Sequence, residues 1–366
     1  MKIGIITFHN ALNTGAVLQA YALQTLLTQQ GYKIEFINYN PIRKYTFHDY
    51  VAKSPIVMFN KWRNIYNGKK YTKYGNFNKV LNLSSIRYLS YEELKESNLD
   101  YDIYIVGSDQ IWNFYTSLSP VYMLDFVPNG KKKIAYAASM GQCRMDKTLY
   151  EDFKNKLITF DAISLREKNG VDFVNALLKG KKIAYQTLDP TLLIDAKYYN
   201  KIIDKEDFGD RHYICTYILA ELDKENAEII RSIKSSLKLD IINLRNPDTC
   251  IWLSHAHNKI VTPYQWLYFI KYCDFVICSS FHAVVFSLIF HKPFIALVPP
   301  ICKDKGGNMR INTLLKDVGL LNRIVEHFDQ KRIQEILKES INWDDVDMKI
   351  RQLRNLSIEF LNDNLK

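Results

Sequence analysis

The order of apolar and polar positions along the chain predicts strands that alternate with helices. Residues 2–7 form a short apolar run, a polar loop follows at residues 8–15, and residues 16–29 carry apolar side chains at helical spacing. Strand-like runs then recur at residues 33–38, 101–106, 133–138, 162–165 and 183–186. Because strands alternating with helices usually form parallel sheets, the pattern predicts an α/β fold.

A second series of the same kind occupies the later part of the chain. Strand patterns occur at residues 213–219, 240–244, 275–278 and 294–298, separated by helical patterns. We therefore predict two Rossmann-like domains facing a cleft, an N-terminal one over residues 1–195 and a C-terminal one over residues 196–330. An insertion is expected at about residues 41–98. Residues 331–366 are expected to form helices that pack back on the first domain.

The net charge of +10 is concentrated in the expected insertion. Between residues 41 and 90, ten Lys or Arg face one acidic residue, Asp49, among ten aromatic residues. This mixture fits a membrane surface, a nucleic acid or an anionic ligand, or else the solvated face of an insertion. No nucleic-acid-binding motif accompanies it, so no nucleic-acid partner is expected. The chain opens without an apolar leader, which predicts a cytoplasmic protein.

Polar residues follow the strand at residues 275–278. The sequence "CSSFHAVVFS" places Ser279, Ser280 and His282 between that strand and an apolar helix. Ligands of parallel α/β sheets bind at this edge, where helix N-termini offer free N–H groups. The alternative is a histidine that caps the helix or lies satisfied in the core.

Three further places combine polar groups with a strand end or a helix start. Asn13 and Gly15 precede the first helix, as an anion loop or a plain turn. Arg166 closes the strand at residues 162–165 and offers a fork for carboxylate or phosphate, or an ion pair with Glu167 or another acid. In "VGSDQIWN" the polar groups after the strand are costly to bury unless they serve a function or a tight network. That segment contributes Ser108, Asp109, Gln110, Trp112 and Asn113.

Five segments together resemble the polysaccharide pyruvyl transferase family. They are "GIITFHNALNTGAVLQAYALQ", "VGSDQIWN", "SLREK", "LDPTLLI" and "CSSFHAVVFSLIFHKPFIAL". The resemblance implies a glycosyltransferase-B-like architecture and an enzyme without cofactor or metal. It also implies phosphoenolpyruvate as donor and a sugar of a surface polysaccharide precursor, on a lipid-linked oligosaccharide, as acceptor. The product would carry a pyruvate ketal.

The resemblance also implies roles for individual residues. His282 matches the family histidine near the donor, and Arg166 an arginine that holds the donor's anionic groups. Relatives often carry an arginine two residues before the histidine, where this chain has Ser280. The donor would then also depend on the hydroxyls of Ser279 and Ser280, on Arg310, Asn13 and Gly15, and on helix N–H groups. Arg310, which precedes a predicted helix, is otherwise a surface residue.

The chemistry of phosphoenolpyruvate suggests how the two catalytic residues would act. Its methylene carbon must be protonated, and an imidazolium is a suitable acid near neutral pH. His282 is therefore the candidate general acid, and Asp109 the candidate base for the sugar hydroxyl. The acceptor would be bound by Ser108, Gln110, Trp112 and Asn113.

Two other function classes remain open on the sequence alone. A glycosyltransferase that uses a nucleotide sugar would share the architecture, since fold does not fix the reaction. A non-catalytic binding protein on the same fold is the other class. Phosphate release from phosphoenolpyruvate, tested with a panel of lipid-linked sugars, distinguishes them.

The basic, aromatic segment generates a prediction about membranes. We expect it to dock the protein on the inner face of the cell membrane, since each Lys or Arg near an anionic leaflet contributes about 1 kcal/mol. Reversing Lys61, Arg63, Lys69, Lys70 and Lys73 to Glu should abolish binding to anionic vesicles, and salt should weaken wild-type binding. Cosedimentation measures both. Wild-type protein that ignores such vesicles at low salt contradicts the prediction.

Overall fold

The structure is a computed structural model that describes residues 1–41, 77–115, 117–141, 145–204, 211–219, 222–244, 253–300 and 308–366. The five basic residues of the vesicle prediction lie outside these ranges, so docking through them stays a prediction.

The first sheet contains seven strands, all paired in parallel, in the order β3-β2-β1-β4-β5-β6-β7. These strands are β1 (Lys2–Ile6), β2 (Lys33–Tyr39), β3 (Leu83–Tyr88), β4 (Ile103–Val106), β5 (Lys132–Ala138), β6 (Ala162–Leu165) and β7 (Ala184–Gln186). The helices that accompany them are α1 (Thr14–Gln29), α2 (Tyr91–Lys95), α3 (Tyr150–Ile158), α4 (Lys168–Leu178) and α5 (Ala196–Asn200). Every residue of β4 and β6 is buried, as expected for central parallel strands covered on both faces.

The second sheet contains six parallel strands in the order β10-β9-β8-β11-β12-β13. They are β8 (Tyr213–Tyr217), β9 (Asp240–Leu244), β10 (His257–Lys259), β11 (Phe275–Cys278), β12 (Phe294–Leu297) and β13 (Ile324–Val325). The helices are α6 (Lys224–Leu237), α7 (Pro263–Tyr272), α8 (Phe281–Ile289), α9 (Met309–Asp317), α10 (Gln330–Lys338) and α11 (Trp343–Asn364). The predicted α/β fold with two parallel sheets is confirmed.

Three strands were not predicted from the pattern of apolar residues. β3 has the polar sequence LSSIRY and falls within the expected insertion, yet it forms the edge of the first sheet. β10 and β13 contain only three and two residues. Such strands are held by hydrogen bonds to a neighbour, so their own sequences carry little periodic signal.

The two sheets share one continuous hydrophobic core. It includes Val17 and Leu23 of α1 together with Val284 and Phe286 of α8. Aromatic rings join the two halves. The ring centres of Phe77 and Tyr264 lie 5.0 Å apart, and those of Tyr199 and Phe286 lie 4.8 Å apart. Helix α8 is buried from Phe281 to Leu288, which explains its apolar sequence. This packing fixes how the two sheets face each other.

The C-terminal helix α11 returns to the first sheet. The Leu188 amide donates to the Ser357 hydroxyl at 2.9 Å, and Arg354 Nε donates to the Leu192 carbonyl at 2.6 Å. Lys132 Nζ also donates to the Lys366 carbonyl at 2.9 Å. The last helix therefore ties the segment after β7 to the first sheet. In the part of the chain that the structure describes, no helix is both long enough and apolar enough to cross a membrane.

This docking yields a stability prediction with an internal control. Leu361 of α11 is fully buried, whereas Leu356 of the same helix is 60% exposed. We expect Leu361→Ala to lower the free energy of unfolding by about 2–5 kcal/mol, because it removes buried methyl groups and leaves a cavity. Leu356→Ala should change it by less than about 0.5 kcal/mol. Urea titration measures both, and equal effects would contradict the observed packing.

Candidate active site

A cavity of about 300 Å³ lies where the order of both sheets reverses. The reversal falls between β1 and β4 in the first sheet and between β8 and β11 in the second. Parallel sheets bind ligands at these points because the connections diverge and leave a crevice. The segments after all four strands line the cavity. They contribute, among others, Asn13, Asp109, Gln110, Leu219, Ser279 and Ser280.

Three helices begin at this cavity. Asn13, Ser280 and Asn308 are the N-caps of α1, α8 and α9, and all three residues line it. The Asn13 side chain accepts from the Gly15 amide at 3.0 Å, which fixes the start of α1. Helix N-termini carry partial positive charge and free N–H groups. With Arg310 in the first turn of α9, they make the cavity suited to an anion.

His282 lies in the first turn of α8 and is 6% exposed. Its Nε2 is buried and 3.5 Å from Asp189 Oδ2, without a hydrogen-bond partner among the described residues. Gly15 packs against the other side of the ring, since a Cβ at that position would lie 1.9 Å from Nδ1. The glycine therefore leaves room for the histidine. Asn13 and Ala16, which lie close to Gly15 along the chain, line the cavity.

Behind His282 is a cluster of buried charges. Arg166 Nη1 donates to Asp189 Oδ2 at 2.5 Å, and Nη2 donates to Asp109 Oδ1 at 3.2 Å. Arg166 Nε lies 3.8 Å from Glu167 Oε2. The guanidinium also lies 4.5 Å from the centre of the Phe281 ring. One arginine thus links acids that follow β4, β6 and β7.

The electrostatic balance of this cluster favours an ionised Asp189. Burial by itself would raise the pKa of the Asp189 carboxyl, but His282 and Arg166 beside it bring that pKa well below its usual range. Burial raises the pKa of Glu167, which the nearby guanidinium of Arg166 only partly offsets. An ionised carboxylate, that of Asp189, therefore lies next to the ring of His282.

Seven of the residues predicted from the sequence line one cavity. They are Asn13, Asp109, Gln110, Ser279, Ser280, His282 and Arg310. The hydroxyl of Ser279 accepts from the Leu219 amide at 3.0 Å, so this serine also ties together the segments after β11 and β8. The catalytic and binding roles of these seven residues stay predictions.

Two predicted acceptor-binding residues are fully buried, and their contact with an acceptor stays a prediction. Trp112 is fully buried, with its ring 5.6 Å from Phe153 and its Nε1 donating to the Tyr122 carbonyl at 3.0 Å. Ser108 is fully buried as well and donates to the Ala137 carbonyl at 2.8 Å. The hydrogen bonds of both side chains hold the loop after β4 in place. Both side chains lie beneath the surface that a sugar can reach.

Three other predicted residues lie outside the cavity lining. Gly15 makes room for His282, and Arg166 forms the buried ion pairs that the sequence analysis left as its alternative. Asn113 is exposed and donates to Gln110 Oε1 at 2.8 Å. Contact of these residues with donor or acceptor stays a prediction.

The sequence analysis did not assign Asp189 to the site. It lies in the segment LDPTLLI, which contributed only to the family resemblance, and its position before a proline is typical of a turn. Its side chain does accept from the Thr191 amide at 3.0 Å, as in such a turn. The contact with His282 depends on residues 93 positions apart along the chain and could not be inferred from either segment.

A larger groove of about 790 Å³ runs along β7 and α11. Its lining includes Lys182, Tyr185, Glu359 and Phe360. The three helix N-termini and the histidine line the smaller cavity, and the buried ion pairs lie behind that histidine. The smaller cavity is therefore the candidate active site.

Comparison with known sequences decides the family. The sequence profile described as polysaccharide pyruvyl transferase matches residues 13–299. The chain belongs to the polysaccharide pyruvyl transferase family. This membership supports a role in pyruvyl transfer during polysaccharide synthesis in general. The matched residues include Asn13, the cluster of buried charges around Arg166, and His282. Among curated proteins, no sequence matches this pyruvyl transferase family member.

Solved structures share the fold of this pyruvyl transferase family member at low sequence identity. A putative UDP-N-acetylglucosamine 2-epimerase from Listeria monocytogenes matches with a TM-score of 0.52 and 11% identity, covering 96% of this chain and 90% of that one. The UDP-N-acetylglucosamine 2-epimerase from Rickettsia bellii matches with 0.52 and 10%, covering 99% and 96%. The glycosyltransferase SnogD from Streptomyces nogalater matches with 0.49 and 11%, covering 100% and 99%. The architecture is glycosyltransferase-B-like, with two parallel sheets around a cleft.

The contact between Gly15 and His282 yields a prediction that is independent of activity. Gly15→Ala should destabilise the protein by about 1–3 kcal/mol, because the new methyl group overlaps the imidazole. In a His282→Ala background the overlap is gone, and the same change should stabilise α1 by up to about 1 kcal/mol, since Ala favours helix over Gly.

Urea titration of the four proteins measures this reversal of sign. The His282→Ala background serves as the matched control, because it differs only in the ring that Gly15 contacts. If Gly15→Ala has the same effect in both backgrounds, the two residues do not pack as described.

Proposed function

We propose that this protein transfers the enolpyruvyl unit of phosphoenolpyruvate to a sugar of a polysaccharide precursor and closes a pyruvate ketal. The observation that carries the proposal is the position of His282. It is a buried histidine in the first turn of a helix that begins at an anion-suited cavity, and it has a carboxylate behind it. An acid next to an anion site is what protonation of an anionic enol ester requires.

The cavity suits a small donor with two anionic groups. Phosphoenolpyruvate carries a phosphate and a carboxylate, and the N-termini of α1, α8 and α9 together with Arg310 supply N–H donors and positive charge. Ser280 occupies the place where relatives often carry an arginine. In this proposal the guanidinium of Arg310 in α9 and the N–H groups at the start of α8 compensate for the missing arginine.

The reaction would begin at the ring of protonated His282. Its proton moves to the methylene carbon of phosphoenolpyruvate, where the π electrons of the double bond form the new C–H bond. The central carbon then accepts an oxygen lone pair from a sugar hydroxyl, whose proton passes to Asp109. Phosphate leaves with the electron pair of its C–O bond and takes that proton. A second hydroxyl of the sugar adds to the same carbon, closes the ketal and returns a proton to the ring.

Asp109 is suited to the role of base. It lines the cavity, and within the described part of the chain both hydrogen bonds to its carboxylate, from the Gln110 amide and Arg166, end on Oδ1. Its Oδ2 is then available to a sugar hydroxyl. The backbone of Asp109 has a φ of 73°, a left-handed conformation that is uncommon outside glycine and is often found at functional sites.

The acceptor in this proposal is a sugar on a lipid-linked oligosaccharide at the inner face of the cell membrane. Gln110 and Asn113 lie in the loop after β4, hydrogen-bonded to each other, and offer amide groups to sugar hydroxyls. The basic segment predicted to contact an anionic leaflet supports this location for the acceptor.

A substitution of the proposed acid tests the function. We expect His282→Ala to reduce turnover of phosphoenolpyruvate by about 10²–10⁴-fold, the range that general acid catalysis supplies. Phosphate release with a panel of lipid-linked sugars is the measurement. His212→Ala is the matched control, because His212 is exposed and lies at the N-terminal end of β8, whereas the cavity lies beyond the carboxyl ends of the strands. Turnover of a nucleotide sugar, with no phosphate from phosphoenolpyruvate, would instead identify a glycosyltransferase.

A further inference from the structure

The ring of His282 has one nitrogen sealed inside the protein. Nε2 is buried and faces Asp189 Oδ2 at 3.5 Å. Nδ1 faces Gly15, and His282 as a residue lines the cavity. The two ring nitrogens therefore have different environments, since Nε2 is the one that faces a carboxylate inside the protein.

We propose that Asp189 is the positioning residue of this site: it holds the proton on Nε2 of His282, so that Nδ1 is the nitrogen that exchanges its proton with the substrate. The proposal rests on the proposed function for the identity of that substrate. The contact itself is a property of the free protein.

The turn that contains Asp189 explains the contacts of only one of its two carboxylate oxygens, Oδ1. Oδ1 accepts from the Thr191 amide at 3.0 Å and from the Thr191 hydroxyl at 2.7 Å, as an N-cap does. Oδ2 faces the other way and accepts from Arg166 Nη1 at 2.5 Å, with the Ser108 hydroxyl oxygen 3.1 Å away. A carboxylate needed only to cap a turn would not be oriented by these groups towards a histidine of the other sheet.

Arg166 contributes through Asp189 rather than through the donor. Its side chain is 1% exposed, and its guanidinium is held between the carboxylates and the Phe281 ring. A permanently charged partner keeps Asp189 ionised, which agrees with the lowered pKa of the Asp189 carboxyl. An ionised carboxylate beside an imidazole favours its protonated form and fixes its tautomer.

The charged groups around the ring of His282, including Asp189 itself, belong to several elements. They are Asp109 after β4, Arg166 and Glu167 after β6, Asp189 after β7, and Arg310 in α9. Among these described residues, Asp189 has its carboxylate within 4 Å of a ring nitrogen, so its removal should change the ring most.

The first experiment uses nuclear magnetic resonance of ¹⁵N-histidine-labelled protein without substrate. The chain has eight histidines, and the His282→Gln variant identifies the signals of His282. We expect the neutral ring of wild-type His282 to carry its proton on Nε2. A neutral ring protonated on Nδ1 overturns the proposal, and this measurement needs neither a folded Asp189 variant nor any activity.

The second experiment compares the pH dependence of turnover. Asp189→Asn keeps the shape of the side chain but removes the charge. Because the carboxylate faces the ring at 3.5 Å, its removal should change the pH profile of turnover. Turnover at neutral pH should decrease more than about tenfold. For comparison, neutralising the carboxylate of a Ser-His-Asp triad lowers turnover by ~10⁴-fold.

Asp195→Asn is the matched control, the same change six residues later at a 55% exposed side chain paired with Arg354. Its pH profile should match the wild type. An Asp189→Asn profile that also matches the wild type overturns the proposal. If wild-type protein does not turn over phosphoenolpyruvate at all, the proposed function fails, and the resonance experiment still decides the role of Asp189.

Discussion

The candidate site depends on one buried carboxylate, that of Asp189. An isolated carboxylate in a protein interior costs several kcal/mol of desolvation, and removing one partner of a buried ion pair typically costs about 3–5 kcal/mol. Arg166 and Thr191 offset this cost with hydrogen bonds, and the polar hydroxyl of Ser108 lies 3.1 Å from Oδ2. Because these partners follow different strands, the carboxylate holds the edge of the first sheet together at the point where His282 of the second sheet meets it.

The topology of the sheets explains why the reactive groups meet there. Both sheets reverse their strand order, and the two reversal points face each other across the cleft. Three helix N-termini point at the same space, so the cavity is positive at its rim while carboxylates lie beneath it. An anionic ligand is attracted by the rim, and the carboxylate of Asp189 in the layer below faces the ring of His282. The two requirements of the proposed reaction are thus met by separate layers of the site.

Packing between the halves makes this arrangement specific. The ring of His282 fits only because position 15 has no side chain, and the aromatic contacts of Tyr199 and Tyr264 hold α7 and α8 against the first half. Helix α11 adds a further tie through Ser357 and Arg354 to the segment that contains Asp189. The position of Asp189 therefore depends on residues more than 160 positions away in the chain.

The sequence by itself determined the class of fold and the location of the site along the chain. Apolar runs that alternate with helical patterns are a local property, and so are the polar residues that follow β1, β4 and β11, because a strand end and a helix start are both visible in a few residues. Seven predicted residues, among them His282 and Asp109, line one cavity for that reason. Only the tertiary structure decided that Trp112 and Ser108 are buried, that Gly15 makes room for a ring, and that Asp189 lies behind His282. Each of these facts is a contact between distant segments, and its energy exists only once the two sheets are packed together.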